Sequence, residues 1–319
     1  MGALYGIFGD ADDGEVRSMG QRLAHRGDLV SEWSVGSWLR LGMRTRHVGA
    51  ERLAGGPMAF DGAIDNRPDF PAQAGPGEPV ASPVDDALLA LALFHREGTD
   101  GFARLAGQFA LAIADPSARR LVLARDRIGY APLYFTLDSN RFIFASEYKA
   151  LLAISSVPAR PNRDAIQVIQ STKWTKPGAT CLAGIHPVAP GTWLTVDLDG
   201  IRTARYWDMP IQVVHNDEDR HVAALRSSFL GTLRRQVQPY RKIGISLSGG
   251  LDSAVMAAGV RHVAGDREVH TFTAGYGPDD RELVNAARVA TVLGTQHHTT
   301  VLEPGDLPDL LPWMVWHLE

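Results

Sequence analysis

The chain has almost no cysteine. Cys181 stands alone among 319 residues, so no intrachain disulfide can form, and a reducing, cytoplasmic setting is expected. Long hydrophobic runs are missing too. The longest, Ala87–Phe94, falls far short of the roughly 20 residues a membrane span needs, so no membrane partner is expected. Positive charge is not in excess: 32 Lys and Arg face 36 Asp and Glu, a net −4, which argues against nucleic acid as a partner. Acidic Asp10, Asp12 and Asp13 stand where a secretory leader would be basic, so no signal peptide is expected. There is no internal repeat.

What is present is the composition of a folded protein, 45% hydrophobic and 21% charged, in a chain long enough for two domains. Over residues 1–210 the pattern is mostly one of short strands and turns. Leu4–Phe8 and Trp38–Met43 read as strands, the second followed by the basic cluster Arg44-Thr45-Arg46-His47. Met58-Ala59-Phe60 runs into Asp61-Gly62, a turn signal. Pro71–Pro83 is rich in proline and glycine and reads as a surface loop. Asp85–Arg96 carries a helical stripe of Leu88, Leu89, Leu91, Ala92 and Phe94. Two hairpins follow: Phe109–Ala114 with Arg120–Ala124 around Asp115-Pro116, and Leu133–Leu137 with Arg141–Ala145 around Asp138-Ser139-Asn140. This pattern predicts an α+β domain of antiparallel sheets with helices.

Residues 211–319 differ in character. A polar linker, His215–Arg220, leads into a helix (His221–Gln236), a strand (Lys242–Leu247), a helix (Ala254–Val263), a strand (Val269–Ala274), a helix (Arg281–Leu293) and a strand (His297–Leu302). Such alternation predicts an α/β domain with a parallel sheet and a ligand at the carboxyl ends of its strands. The join after the first strand is the most informative stretch: Leu247, then Ser248-Gly249-Gly250-Leu251-Asp252-Ser253. Glycines there let backbone N–H groups close on an anion, and the following helix points its positive end at the same spot. The serines supply hydroxyls, and Asp252 can hold a magnesium ion against phosphates. A mere tight turn is the alternative, which the flanking strand and helix argue against. The loop is not of the Walker type, since Gly-Lys-Ser/Thr is missing.

Ser248–Ser253 resembles the pyrophosphate loop of N-type ATP pyrophosphatases, which cleave ATP between the α and β phosphates. Leu123-Ala124-Arg125-Asp126-Arg127-Ile128-Gly129-Tyr130-Ala131-Pro132-Leu133-Tyr134 resembles a hairpin of the amidotransferase domain of asparagine synthetases. Phe144–Leu151, His25-Arg26-Gly27, Asp61–Asn66 and Pro190-Gly191 fall in the same order as in that family, so the resemblance runs from Tyr5 to Glu319. It implies a glutamine amidotransferase-like domain of Ntn-hydrolase type over 1–210. It also implies the first part of an asparagine synthetase-type ATP-pyrophosphatase domain, of the adenine nucleotide alpha hydrolase kind, over 211–319. ATP and Mg²⁺ are the implied cofactors. Arg125, Asp126 and Glu147 are read as a buried ion-pair network rather than catalytic groups.

The departures matter as much. Glutamine-hydrolysing members carry a nucleophilic cysteine at the second residue; this chain has Gly2. The family's Asn-Gly oxyanion pair is Asp61-Gly62, whose carboxylate would oppose a developing negative charge. The glutamate after that pair is Ala63, and the aspartate expected near Ser82 falls at Pro83. The family's substrate-binding arginine aligns near Thr45, flanked by Arg44 and Arg46. Together these imply a degenerate glutaminase site.

Two resembling groups take their amine from the substrate itself: β-lactam and carbapenam synthetases, and the macrolactam cyclases of lasso peptides. The opening Gly2–Gly9 favours the lasso type. An amine held beside an acyl-adenylate has an effective molarity of roughly 10⁵ M or more, so no ammonia pool is needed. The expected substrate is a small-molecule or peptide carboxylate. The resemblance places adenine against the backbone at Phe272, Thr273 and Ala274. Glu282 falls where the family puts an acidic residue near the nucleotide; a solvated first-turn helix carboxylate is the equal alternative. His297 and His298 match a family pair, but neighbours on a strand face opposite ways, which speaks against a shared metal. Glu319 falls where relatives use a glutamate in amide formation. The family's later motifs do not follow it, so the expectation is a fragment, a truncated gene, or one half of a split enzyme whose other half sits on a second chain. On that expectation this polypeptide alone binds ATP at best.

Overall fold

The structure is a computed structural model that describes residues 2–46, 57–70, 83–211, 217–277 and 279–319, with only the backbone of Pro83, Val84 and Asp85. The chain divides into two compact units, Met1–Pro210 and Ile211–Glu319. Residues 71–82 of the Pro71–Pro83 loop, among them Ser82, as well as His47 and part of the His215–Arg220 linker, lie outside the described residues; Pro83 is already helical, and so is the chain from Glu218.

The first unit is built on two antiparallel sheets. One has the order β2 (Leu29–Val35), β3 (Leu39–Thr45), β1 (Ala3–Phe8), β8 (Arg141–Ala145), β7 (Tyr134–Asp138), β9 (Ile185–Pro187). The other has the order β11 (Gly200–Arg205), β10 (Thr192–Asp197), β6 (Arg120–Arg125), β5 (Gly107–Asp115), β4 (Met58–Ile64). Strand periodicity assigns the layers. Leu4, Leu39, Leu41, Phe142 and Phe144 of the first sheet meet Ala59, Ala110, Ala112, Leu121 and Leu123 of the second in one core. Alternate residues face outward: Tyr5, Ile7 and Ile143 pack with Val16 and Met19 of α1 (Asp13–Arg22), whose neighbour α3 (Tyr148–Leu151) adds Ala150 and Leu151. On the other side Phe109, Leu111 and Ile113 pack under Leu89, Leu93 and Phe94 of α2 (Pro83–Glu97). The result is helix, sheet, sheet, helix. Helix α4 (Arg163–Thr172) lies outside that plan, capped by Asn162.

One expectation fails here. Asp61-Gly62 is not a turn: β4 runs through both, paired to β5 with Asp61 opposite Ala110 and Gly62 opposite Phe109. Glycine is needed at 62 because φ is +134° and a Cβ would lie 1.9 Å from the Gln108 carbonyl oxygen. The turn comes later, at Asp65-Asn66.

The second unit has a parallel sheet, β12 (Lys242–Ser246), β13 (Glu268–Gly275), β14 (Gln296–Val301), in sequential order. Crossovers through α6 (Leu251–Ala264) and α7 (Arg281–Leu293) put both helices on one face. There Ile245, Leu247 and Val269 pack with Leu233 and Val237 of α5 (Glu218–Val237), Ala257 and Val260 of α6, and Ala286 and Ala290 of α7. Phe272 and Ala274 are exposed on the opposite face. Helix α8 (Leu307–Leu318) buries none of its residues. Among the described residues no helix is long and apolar enough to cross a membrane.

The expected ion-pair network divides in two. Glu147 is its centre, accepting from Arg26 and Lys149 and lying 3.0 Å from His25 Nε2. Burial pushes the Glu147 carboxyl up, but Lys149 and Arg26 outweigh it and hold it below the usual carboxylate range. Arg125 and Asp126 instead serve the backbone. The Asp126 carboxylate, wholly buried, accepts from the amides of Phe109 (3.3 Å), Ile128 (3.2 Å), Tyr130 (3.0 Å) and Ala131 (2.8 Å). Arg125 donates to the carbonyls of Ala131 (2.7 Å), Val188 (2.8 Å) and Gly129 (2.6 Å). A buried polar group is tolerated only when paired, so each of these bonds matters. Asp126→Ala strands those amides and is expected to cost about 3 kcal/mol or more in urea denaturation; a loss under about 1 kcal/mol would show that the 126–131 turn holds itself.

Candidate functional site

The parallel register sets Ser246 beside Phe272, so the segment after β12 and the end of β13 share one edge of the sheet. Leu247 donates its amide to Phe272 O (2.9 Å), and its carbonyl accepts from Thr273 Oγ1. Both side chains are buried. Through these bonds Leu247 and Thr273 hold the root of the loop. Phe272 is 49% exposed on the uncovered face, stacked on His298 with ring centroids 4.8 Å apart. His297 points the other way, Nδ1 lying 3.0 Å from Thr271 Oγ1, so the histidine pair is split across the sheet.

Beyond Leu247 the chain turns through Ser248, Gly249 and Gly250 and enters α6 at Leu251, earlier than expected from periodicity. The serines brace the turn: their Oγ atoms are 3.0 Å apart, Ser248 N donates to Ser253 Oγ (3.2 Å), and Ser253 Oγ donates to Gly250 O (3.1 Å). The two glycines have different duties. Gly249 has φ +73°, and a Cβ there would lie 2.7 Å from both Ala286 N and Asn285 Cβ of α7. Gly250 would meet only Ser248 Oγ, at 3.4 Å, so its missing side chain leaves the outer side of the loop open. No side chain caps α6, and the amides of Leu251, Asp252 and Ser253 have no partner among the described residues. Open amides at a helix N-terminus beside a glycine turn form an anion cradle.

Asp252 is exposed in the first turn of α6, and its carboxylate accepts no hydrogen bond from the described residues. It can hold a cation, but only with oxygens supplied by a ligand. Among the described residues no group of three or more His, Cys, Asp or Glu is placed to hold a metal ion. Leu251 and Ala274 are exposed. Glu282 is exposed in the first turn of α7, where Asp280 caps the helix by accepting from Glu282 N (2.8 Å). Glu319 is an exposed carboxylate past the last turn of α8, its amide donating to Val315 O (3.0 Å); this geometry assigns it no chemistry. Sequence reasoning missed Asn285, because nothing in local spacing shows that α7 abuts Gly249.

In the first unit, the residues around Gly2 are spent on one another. Gly2 N donates to Asp61 Oδ1 (2.5 Å). A Cβ on Gly2 would lie 2.3 Å from Arg44 O, so this backbone has no room for a side chain there. Arg44 donates to Gly20 O (2.5 Å) and Gly27 O (3.0 Å), and Arg46 to His25 O (3.1 Å). Asp61 is 2% exposed, and its Oδ2 has no hydrogen-bond partner among the described residues. Burial raises its pKa, offset in part by the Gly2 amide and Arg26.

Together these define an amidotransferase-type domain, with no side chain at its second residue, followed by an α/β unit carrying an anion cradle. Residues 1–207 match the glutamine amidotransferase domain and residues 224–319 match asparagine synthase. The chain belongs to the asparagine synthetase family. It is 32% identical over 222 residues to "Asparagine synthetase [glutamine-hydrolyzing] 3" of Bacillus subtilis (strain 168), covering 65% of this chain and 36% of that relative. To "Asparagine synthetase [glutamine-hydrolyzing] 1" of the same organism it is 25% identical over 315 residues, 95% of this chain and 49% of that one. "Amidase chyE" of Penicillium rubens is 26% identical over 255 residues, 74% of this chain and 37% of its own length. The chain thus spans half or less of these relatives. Among solved structures it is similar to glutamine phosphoribosylpyrophosphate amidotransferase from B. subtilis, at TM-score 0.46 and 15% identity, over 93% of this chain and 65% of that one.

The raised pKa of Asp61 has a definite sign. With the folded value above the unfolded one, its stabilising contribution is full below the unfolded pKa and is lost as pH rises through the folded pKa. Asp61→Asn keeps an acceptor for the Gly2 amide and removes the buried charge. It is expected to stabilise the protein by about 1 kcal/mol or more near neutral pH. The gain should shrink towards acid, which urea denaturation from about pH 4 to about pH 8 would show.

Proposed function

We propose that the chain is part of an ATP-dependent, AMP-forming ligase of the asparagine synthetase family that makes an amide bond from a substrate's own amine. The observation that carries this is the pairing of Gly2 with Asp61 beside Arg44 O, in a chain whose nucleotide loop keeps its full set of donors. Gly2 offers no nucleophile. A carboxylate at Asp61 repels the oxyanion that amide hydrolysis would form. The first unit is then a retained structural or docking domain.

In this reading the amides of Leu251, Asp252 and Ser253 bind the β and γ phosphates, the Ser248 and Ser253 hydroxyls keep the loop in shape, and the end of β13 near Ala274 meets the adenine. Asp252 would hold magnesium, which neutralises charge on the phosphates. A substrate carboxylate attacks the α-phosphate, giving an acyl-adenylate and pyrophosphate. The amine of the same substrate then displaces AMP, as in lasso-peptide macrolactam or β-lactam formation. Holding amine and acyl group together supplies the rate.

The names of the bacterial relatives favour asparagine as the product; with no nucleophile at Gly2, the second reading is that free ammonia and aspartate give it. Product analysis decides: asparagine from aspartate, ammonium and ATP supports the second, and a lactam from a peptide or amino-acid substrate the first. A third reading, a non-catalytic scaffold, predicts that ATP does not bind.

Two outcomes follow. Asp252→Ala is expected to weaken binding of ATP with magnesium on the order of tenfold or more in calorimetry; unchanged affinity would remove Asp252 from the site. Neither the parent nor the Gly2→Cys/Asp61→Asn variant is expected to release ammonia from glutamine above background, because Arg44 O occupies the space a Cβ needs. Glutaminase turnover by the parent would sink the substrate-amine reading.

A further inference from the structure

The anion cradle has a neighbour that its own motif does not contain. Helix α7 meets the loop through Asn285 and Ala286: a Cβ built on Gly249 would lie 2.7 Å from Asn285 Cβ and from Ala286 N, and 3.0 Å from Asn285 C. Asn285 is therefore packed directly against the loop's central residue. Ala286 turns inward and is buried in the core, whereas Asn285 is exposed. Its carboxamide makes no hydrogen bond with any described residue. A side-chain amide carries two N–H donors and no charge, so beside a cluster of open backbone amides it adds to their pull on an anion.

The acidic groups at that end of α7 do not serve the same purpose. The Glu282 amide is spent on Asp280, which caps the helix. Glu282 itself, one turn before Asn285 on the same face, is a carboxylate and would approach phosphate only across a cation. Arg281 and Arg288 are also exposed donors on α7, but Asn285 is the one whose Cβ abuts the loop at Gly249.

We propose that Asn285 is a ligand-contacting residue of the nucleotide site, its carboxamide donating to a phosphate oxygen of the anion seated on Gly249–Ser253. The inference rests on the phosphate-site reading of that loop. It makes the site a two-helix clamp, with backbone donors from α6 and a side-chain donor from α7. It also gives Gly249 a second duty, since the close approach of α7 that places Asn285 requires a residue without a Cβ.

The test uses the full chain, titrated by calorimetry with inorganic pyrophosphate and, separately, with ATP plus magnesium. Asn285→Asp keeps the shape of asparagine, replaces its N–H donors with a carboxylate oxygen and adds a negative charge. It is expected to weaken pyrophosphate binding on the order of tenfold, with the loss shrinking as salt is added. Asn285→Ala, which removes the donors in an exposed helical position, is expected to weaken it by about threefold or more. Both variants should melt close to the parent, so packing is not what is read. Pyrophosphate affinity of folded Asn285→Asp within about threefold of the parent overturns the assignment while leaving the loop reading intact. If the parent binds neither pyrophosphate nor ATP, the loop reading itself falls.

Discussion

Burial of β1 on both faces is the constraint on which the first unit depends. Ala3, Tyr5 and Ile7 pack beneath α1, Leu4 and Phe8 enter the layer between the sheets, and β3 and β8 take the two edges. A strand held on every side cannot slide by one residue without sending its whole pattern to the wrong face. The residue before it, Gly2, is delivered to a set position against Arg44 O and Asp61. What stands at residue 2 thus decides the chemistry, and the strand behind it decides that nothing else can take its place.

In the second unit the equivalent constraint is the approach of α7 to Gly249. The parallel register aligns Ser246 with Phe272, Thr273 ties the root of the loop to β13, and α7 closes on the turn at Gly249. The loop is shaped from three sides before any ligand arrives. Such preorganisation would let these backbone amides bind an anion without first being ordered. Its outer side, from Gly250 to Asp252, stays open.

Much of this was legible in the sequence. The hairpin pairs Asp115–Arg120 and Asp138–Arg141 fall at the turn signals, and α5, α6 and α7 follow apolar periodicity to within a few residues. Helices α1, α4 and α8 and strands β2, β9 and β11 were not legible. Short elements, and those with little contact to a core, carry weak periodicity, as the wholly exposed β11 shows. Asp61-Gly62 misled because the same dipeptide that makes a turn also tolerates the close strand contact of Gly62 with Gln108 O. Leu247 and Thr273 lie at the root of the loop, but which way their side chains face depends on the register of β13.

The sequence by itself determined the kind of chemistry on offer: a glycine at residue 2 supplies no nucleophile, and Ser248–Ser253 supplies donors for an anion. These are properties of residue type and adjacency. The tertiary structure decided that no side chain fits at Gly2, that Asp126 is satisfied by backbone amides, and that Asn285 reaches the loop. Gly2 meets Arg44, and Gly249 meets Asn285, across tens of positions, and Asp126 reaches back 17 residues to Phe109. These contacts follow from strand register and helix packing, which no local pattern encodes.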